Sequence, residues 1–219
     1  MFDFFGTLTA AIQRGPAHRS IARSLGCDPD VFFQALDRTF YARASGRCGP
    51  PGEVLRRIAE EQGGQPDRPA LIRAVIARID AVERDVRLRP EAVPVLSAIR
   101  TLGLRTAVVS DCWYELPAFF SRLAVAPLLD ARAFSYTVGH CKPHPRIYQA
   151  ACGLLSVPPA RCLYIGDGGS RELSGARRLG MTVVRLAAED LGSHLTFDAE
   201  REWDGACVGD LTQLLPHLV

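Results

Sequence analysis

Apolar residues recur at three- and four-residue spacing from about Ile12 to Asp85. The stretches AHRSIARSLG, PDVFFQALDRTFYARAS, EVLRRIAEEQG and ALIRAVIARIDAVERDV each follow that rhythm, so a run of amphipathic helices is predicted. CGPPGE and GGQPDRP punctuate it. The pattern then changes. LRTAVVSD, DARAFSYT, CLYIGDGG, MTVVRLA and ACV are short, mostly apolar runs, as in buried parallel strands. Predicted helices separate them: PEAVPVLSAIRTLG, WYELPAFFSRLA, PRIYQAACGLL, RELSGARRLG and a last GDLTQLLPHL. The opening MFDFFGTLTA reads as a further strand that ends at Asp3 and runs into a Gly-Thr turn.

Strands alternating with helices predict an α/β fold, a Rossmann-like parallel sheet with helices on both faces. The helical run is an insertion. The expected division is a core of residues 1–11 and 87–219 and a helical cap of residues 12–86. Sheets of this kind present ligands at the carboxyl ends of their strands. Asp3, Ser110, Asp111 and Asp167 fall at such ends, and Lys142 lies in the loop GHCKPHP. Carboxylates, a hydroxyl and an ammonium at one mouth suit a phosphate-like anion held with a divalent metal, since Mg²⁺ takes one or two carboxylates plus substrate oxygens.

Composition sharpens this. Of 26 basic residues 25 are Arg, so Lys142 is the sole Lys, and Asn is absent. The net charge of +2 gives no polyanion signature, which argues against a nucleic-acid partner. No apolar run approaches the roughly 18 residues of a membrane span. No signal peptide is readable, and seven widely spaced Cys without C-x-x-C read as cytoplasmic free thiols. The pattern specifies no oligomeric state.

The chain resembles the haloacid dehalogenase superfamily. FDFFGTLT, VVSD, CKPHPRIY and YIGDGGSREL look like its four motifs, in order. The resemblance implies an Asp3 nucleophile, with Ser110 and Lys142 holding the transferring group, and substrate contacts from Gly6, Thr7 and Asp111. It implies Mg²⁺ on Asp3, Asp167 and the backbone carbonyl of Phe5, with Glu172 as a further acid. Asp111 reads equally as a helix cap, and Glu172 as a first-turn acid facing a helix dipole. The function implied is a Mg²⁺-dependent phosphatase acting on a small phosphorylated metabolite. Phe5 stands where most family phosphatases carry an acid. Losing general acid–base help costs about 10²–10⁴ in rate, so activity should favour good leaving groups. An aromatic there resembles the family's 2-haloacid dehalogenases, but those use Asn in their second and fourth motifs. A catalytically silent binding module is the other alternative.

Elsewhere the ordinary readings come first. His140, Cys141 and His144 lack a partner pair for zinc. Phe32, Phe33, Phe40 and Tyr41 fall on helical spacing and predict core packing. Arg38 and Arg43 are candidates to reach the site from the cap. Glu202, Trp203 and Gly205 are expected in a loop on the sheet edge. Only two residues precede Asp3, against about five or six in a usual strand, so a start codon further upstream, or a fragment, is expected.

Overall fold

The computed structural model describes residues 1–218. Five strands appear: β1 (Ala107–Ser110), β2 (Ala131–Phe134), β3 (Leu163–Gly166), β4 (Thr182–Leu186) and β5 (Ala206–Val208). β2 pairs parallel with β1, and β3, β4 and β5 pair parallel in that order. Residues 1–3 join the two groups into one sheet. Phe2 N–H donates to Ala107 O at 2.8 Å, and Val109 N–H to Phe2 O at 2.8 Å. On the other side Asp3 N–H donates to Ile165 O at 2.8 Å, and Ile165 N–H to Met1 O at 2.9 Å. The order is therefore β2–β1–residues 1–3–β3–β4–β5, and Asp3 ends the central strand.

Alternation along the strands divides the core in two. Phe2, Val108 and Ile165 face one side with Phe4, Leu96, Phe119 and Phe120. Met1, Ala107, Val109 and Tyr164 face the other with Ile147, Tyr148 and Leu173.

The insertion contains α1 (Pro16–Ser24), α2 (Pro29–Arg38), α3 (Phe40–Ala44), α4 (Pro51–Glu60) and α5 (Arg68–Asp85). Pro in the first turn and an Asp cap start two of them. Asp28 accepts from Asp30 N–H and Val31 N–H, and Asp67 from Ala70 N–H. Their apolar faces meet at Ile21, Leu25, Phe32, Leu36, Leu55 and Ile58, and Trp113 and Tyr114 from the segment after β1 join this cluster. An antiparallel bridge between Thr9 and Leu88 closes the base of the insertion. Arg89 is bonded there to the carbonyls of Thr7 and Gly6, each at 3.1 Å, and to Asp190 at 3.0 Å.

The remaining helices are α6 (Ala92–Thr101), α7 (Glu115–Phe119), α8 (Ser135–Val138), α9 (Pro145–Leu155) and α10 (Glu172–Arg178). Three expectations change in detail. The helix expected over WYELPAFFSRLA ends at Phe119 and gives way to a 3₁₀ turn, Phe120–Arg122. DARAFSYT divides into β2 and the one-turn α8, which Gly139 ends at φ +82°. The last segment, Leu211–His217, is 3₁₀ with Pro216 inside, where the missing amide removes an α-helical hydrogen bond. No helix among the described residues is long and apolar enough to cross a membrane.

Arg89→Met should lower unfolding stability by about 2–4 kcal/mol, because two buried carbonyls and a carboxylate lose their donor together. Urea unfolding measures it. A change within about 0.5 kcal/mol, the range of neutral surface substitutions, would show that Arg89 fastens nothing.

Candidate active site

The turn after Asp3 sets the geometry of the site. Thr9 N–H donates back to Phe4 O at 3.0 Å, and Gly6 N–H to Thr9 Oγ1 at 3.0 Å. Gly6 has φ +81°, and a Cβ there would lie 2.8 Å from His194 Nε2. Conformation and space both require glycine.

Three strand ends, the start of α10 and one loop then converge. Lys142 Nζ donates to Asp3 Oδ1 and to Glu172 Oε2, both at 2.5 Å. Glu172 also accepts from Tyr164 OH at 2.8 Å and from Gly168 N–H at 3.0 Å. Asp111 Oδ1 accepts the Lys142 amide at 2.9 Å, which fixes the loop that carries the ammonium. Asp167 accepts from Gly169 N–H at 3.2 Å. Three atoms here are buried without a partner among the described residues: Ser110 Oγ, Asp111 Oδ2 and Thr7 Oγ1.

Burial raises the carboxylates. Asp3 is pushed up to about 6 by burial, with Asp167 adding to the rise and Lys142 opposing it. Asp167 also rises to about 6, through burial and then Glu172. Glu172 rises to about 7, through burial and then Asp3. Burial works against the Lys142 ammonium, but Asp3, Glu172 and Asp111 outweigh it and hold the group well above its usual range.

One carboxylate oxygen from each of Asp3, Asp167 and Glu172 lies within 4.8 Å of the other two. Four buried carboxylates, counting Asp111, face one ammonium. A hard, anionic, all-oxygen donor set of this kind fits a divalent cation such as Mg²⁺. Both Glu172 oxygens are already engaged, by Lys142, Tyr164 and Gly168.

His194 carried no sequence signal. It borders the site from the segment between β4 and β5 and is buried beside Asp167, its Nε2 3.9 Å from Asp167 Oδ2. Its Nδ1 accepts Ile12 N–H at 2.8 Å, so the proton of the neutral ring sits on Nε2. Burial lowers its pKa and favours that neutral form. The imidazole is a fixed donor at the edge of the carboxylate group.

A cavity of about 170 Å³ opens between the strand ends and the insertion. Asp3, Phe5, Asp111, Lys142, Asp167 and His194 line its floor. Of the two cap arginines, Arg43 lines the cavity, whereas Arg38 is 71% exposed and pairs with Glu61. Phe40 is a wall residue rather than core, stacked on Phe197 at 4.1 Å. His140 and His144 stack on each other at 4.1 Å and lie outside the carboxylate group. Trp203 packs under Arg177 at 3.8 Å, away from the cavity. Sequence reasoning also missed the buried pairs Arg78–Glu115 and His18–Asp85. Among 25 Arg and many acids, nothing marks which will be buried together.

Fold and site together define a Rossmann-like hydrolase with an inserted helical layer. Residues 1–180 match the haloacid dehalogenase-like hydrolases, and the chain belongs to that family. It is 29% identical over 138 residues to a glyceraldehyde 3-phosphate phosphatase of Methanopyrus kandleri, covering 61% of this chain and 56% of that protein. The chain spans about half the length of the curated relatives it matches. It also resembles the L-2-haloacid dehalogenase of Xanthobacter autotrophicus with chloropropionic acid covalently bound, with TM-score 0.65, 19% identity and 98% and 95% coverage of the two chains. A family enzyme of Bacteroides thetaiotaomicron in complex with magnesium and inorganic phosphate gives TM-score 0.61, 15% identity, and 93% and 95% coverage.

Asp167→Asn should stabilise the metal-free protein at pH 7. The sign follows from the raised carboxyls: the folded state holds protons between about pH 4 and 6 that the unfolded chain releases, so stability falls as pH rises through that window. Removing one of the repelling charges should raise the melting temperature at pH 7 by about 2–6 °C, with the gain vanishing toward pH 4. Thermal melts of both proteins with a chelator present, across that range, measure it. A gain independent of pH would contradict the carboxylate repulsion.

Proposed function

We propose that the protein is a Mg²⁺-dependent phosphatase acting on a small phosphorylated metabolite. The observation that carries the reading is the buried, unpartnered Ser110 hydroxyl, one strand from an Asp3 carboxylate already bonded to Lys142. A buried hydroxyl left unsatisfied is costly, and a phosphoryl oxygen would satisfy it. The phosphatase relative supports the same chemistry.

In this reading Asp3 Oδ1 stays with Lys142, and Oδ2 attacks phosphorus in line while the bond to the leaving oxygen breaks, forming an aspartyl-phosphate that water then hydrolyses to free phosphate and the Asp3 carboxylate. With its pKa near 6, Asp3 is ionised at neutral pH. Lys142 and Ser110 donate to the equatorial oxygens, on which negative charge gathers in the transition state. Asp3, Asp167 and the Phe5 carbonyl would hold the cation, which when bound supplies charge neutralisation to the phosphoryl group. Glu172 holds Lys142 in place beside this set. Gly6 and Thr7 shape the turn beside the phosphate, and Asp111 fixes the Lys142 loop. The helical layer of residues 12–86 covers the site as a cap.

Phe5 lies against Phe4 at 5.0 Å and cannot protonate a leaving oxygen. Turnover should therefore be slow on alkyl esters and faster on aryl or acyl phosphates, with a burst preceding the steady state. The same residue favours a second reading, carbon–halogen hydrolysis, whose halide leaves without a proton.

A panel of p-nitrophenyl phosphate and 2-chloropropionate, each with Mg²⁺ and with chelator, separates the two. Metal-dependent phosphate release that Asp3→Asn abolishes supports the proposal. Metal-independent chloride release replaces it with the second reading. Phe5→Asp should raise steady turnover of an alkyl phosphate by about 10²-fold, and that of p-nitrophenyl phosphate far less. An equal change for both esters would show that the missing acid is not what limits turnover.

A further inference from the structure

The cavity has a second polar wall that the reaction at Asp3 does not use. Arg14, His18, Arg43, Arg78 and Trp113 line it, with Asp85 and Glu115. Most of these charges are spoken for. Arg78 donates to Glu115 from Nε at 2.8 Å and from Nη2 at 2.6 Å. His18 Nε2 meets Asp85 at 2.8 Å, and Arg14 is bonded to Asp37.

Arg43 is the exception. It is 5% exposed, and its donors reach only neutral oxygens, Thr39 Oγ1 at 3.1 Å and the Leu36 carbonyl at 2.7 Å. Burial, then Arg78, push it down to about 10. Glu115 partly offsets this, but no carboxylate is hydrogen-bonded to Arg43, and a buried cation in that position calls for an anion. Its guanidinium lies 4.5 Å from the Trp113 ring centroid. Trp113 is itself buried, and its Nε1–H has no partner among the described residues. Arg43 and Trp113 are thus neighbours in the wall of one cavity, and Val82 and Leu116 belong to the same lining.

We propose that Arg43 and Trp113 form a carboxylate-binding subsite, so that the substrate is a small phosphate monoester bearing one carboxylate at its other end. The phosphate part of this statement rests on the phosphatase reading; the subsite does not. One uncommitted cation balances one monoanion. Asp85 and Glu115 on the same wall oppose a second negative charge, which disfavours a second phosphate dianion. The planar fork of Arg matches a carboxylate, and Trp Nε1–H adds a donor that no cation or ammonium would use.

The test is calorimetric binding in the presence of Mg²⁺, so it does not depend on turnover. Probes are acetate, methylphosphonate and a series of phosphono-carboxylates from phosphonoacetate to phosphonobutyrate. The best-fitting member should bind about 10–100-fold tighter than methylphosphonate. Arg43→Met should erase that advantage while leaving methylphosphonate affinity intact, and Arg43→Lys should retain part of it. Trp113→Phe should remove about tenfold, the share of one buried hydrogen bond, and it decides the matter should Arg43→Met fail to fold. Equal affinities across the series in the wild type would overturn the subsite, as would an advantage that survives Arg43→Met or Trp113→Phe. If methylphosphonate fails to bind while acetate binds in an Arg43-dependent way, the phosphatase reading falls and the carboxylate subsite stands.

Discussion

A single ammonium organises the site. Lys142 Nζ is bonded at once to Asp3, on the central strand, and to Glu172, at the start of α10. Its own amide is held by Asp111 at the end of β1. Three parts of the sheet edge are therefore fixed relative to one another by one side chain and its backbone. The carboxylates could not stand so close in a buried place without it, because each already sits well above its ordinary pKa. Arg would carry the charge, but its wide planar fork cannot converge on two carboxylates as a compact ammonium does. In a chain that otherwise uses Arg for every cation, this position is the one that keeps Lys.

A second set of bonds fixes the other side of the mouth. Asp190 holds Arg89 and the Ala11 amide, His194 holds Ile12, and Ser170 N–H reaches Phe197 O at 2.7 Å. One irregular segment thus touches the turn after Asp3, the base of the insertion and the loop after β3. Irregular backbone of this length is often functional, and here it supplies His194 and Phe197 to the cavity.

The two periodicities made the architecture legible. Apolar spacing of three and four marked the insertion, and short continuous runs marked a sheet buried on both faces. The placement of Asp3, Ser110, Asp111 and Asp167 at strand ends was legible too, because each stands where a short apolar run gives out. What stayed hidden depends on packing across long sequence distances. His194 is 182 residues from its partner Ile12, and nothing local in LGSHLTF announces it. Arg43 and Arg38 lie on similar helical stretches, yet one is buried and the other exposed. Arg43 lies over the ring of Trp113, 70 residues further along the chain, which no pattern within the insertion could reveal. Phe40 had the spacing of a core residue, and only the arrival of Phe197 makes it a wall.

Trp113 and Tyr114 also constrain how the molecule can move. They belong to the chain that leaves β1 directly after Ser110 and Asp111, yet their rings are packed inside the apolar cluster of the insertion. The helical layer is thus riveted to a strand that leads into the floor of the cavity. Lifting it as a rigid lid would pull two buried aromatic rings out of their packing and strain Asp111 against the Lys142 loop. Substrate must then reach the floor of the cavity with the helical layer still seated on that strand.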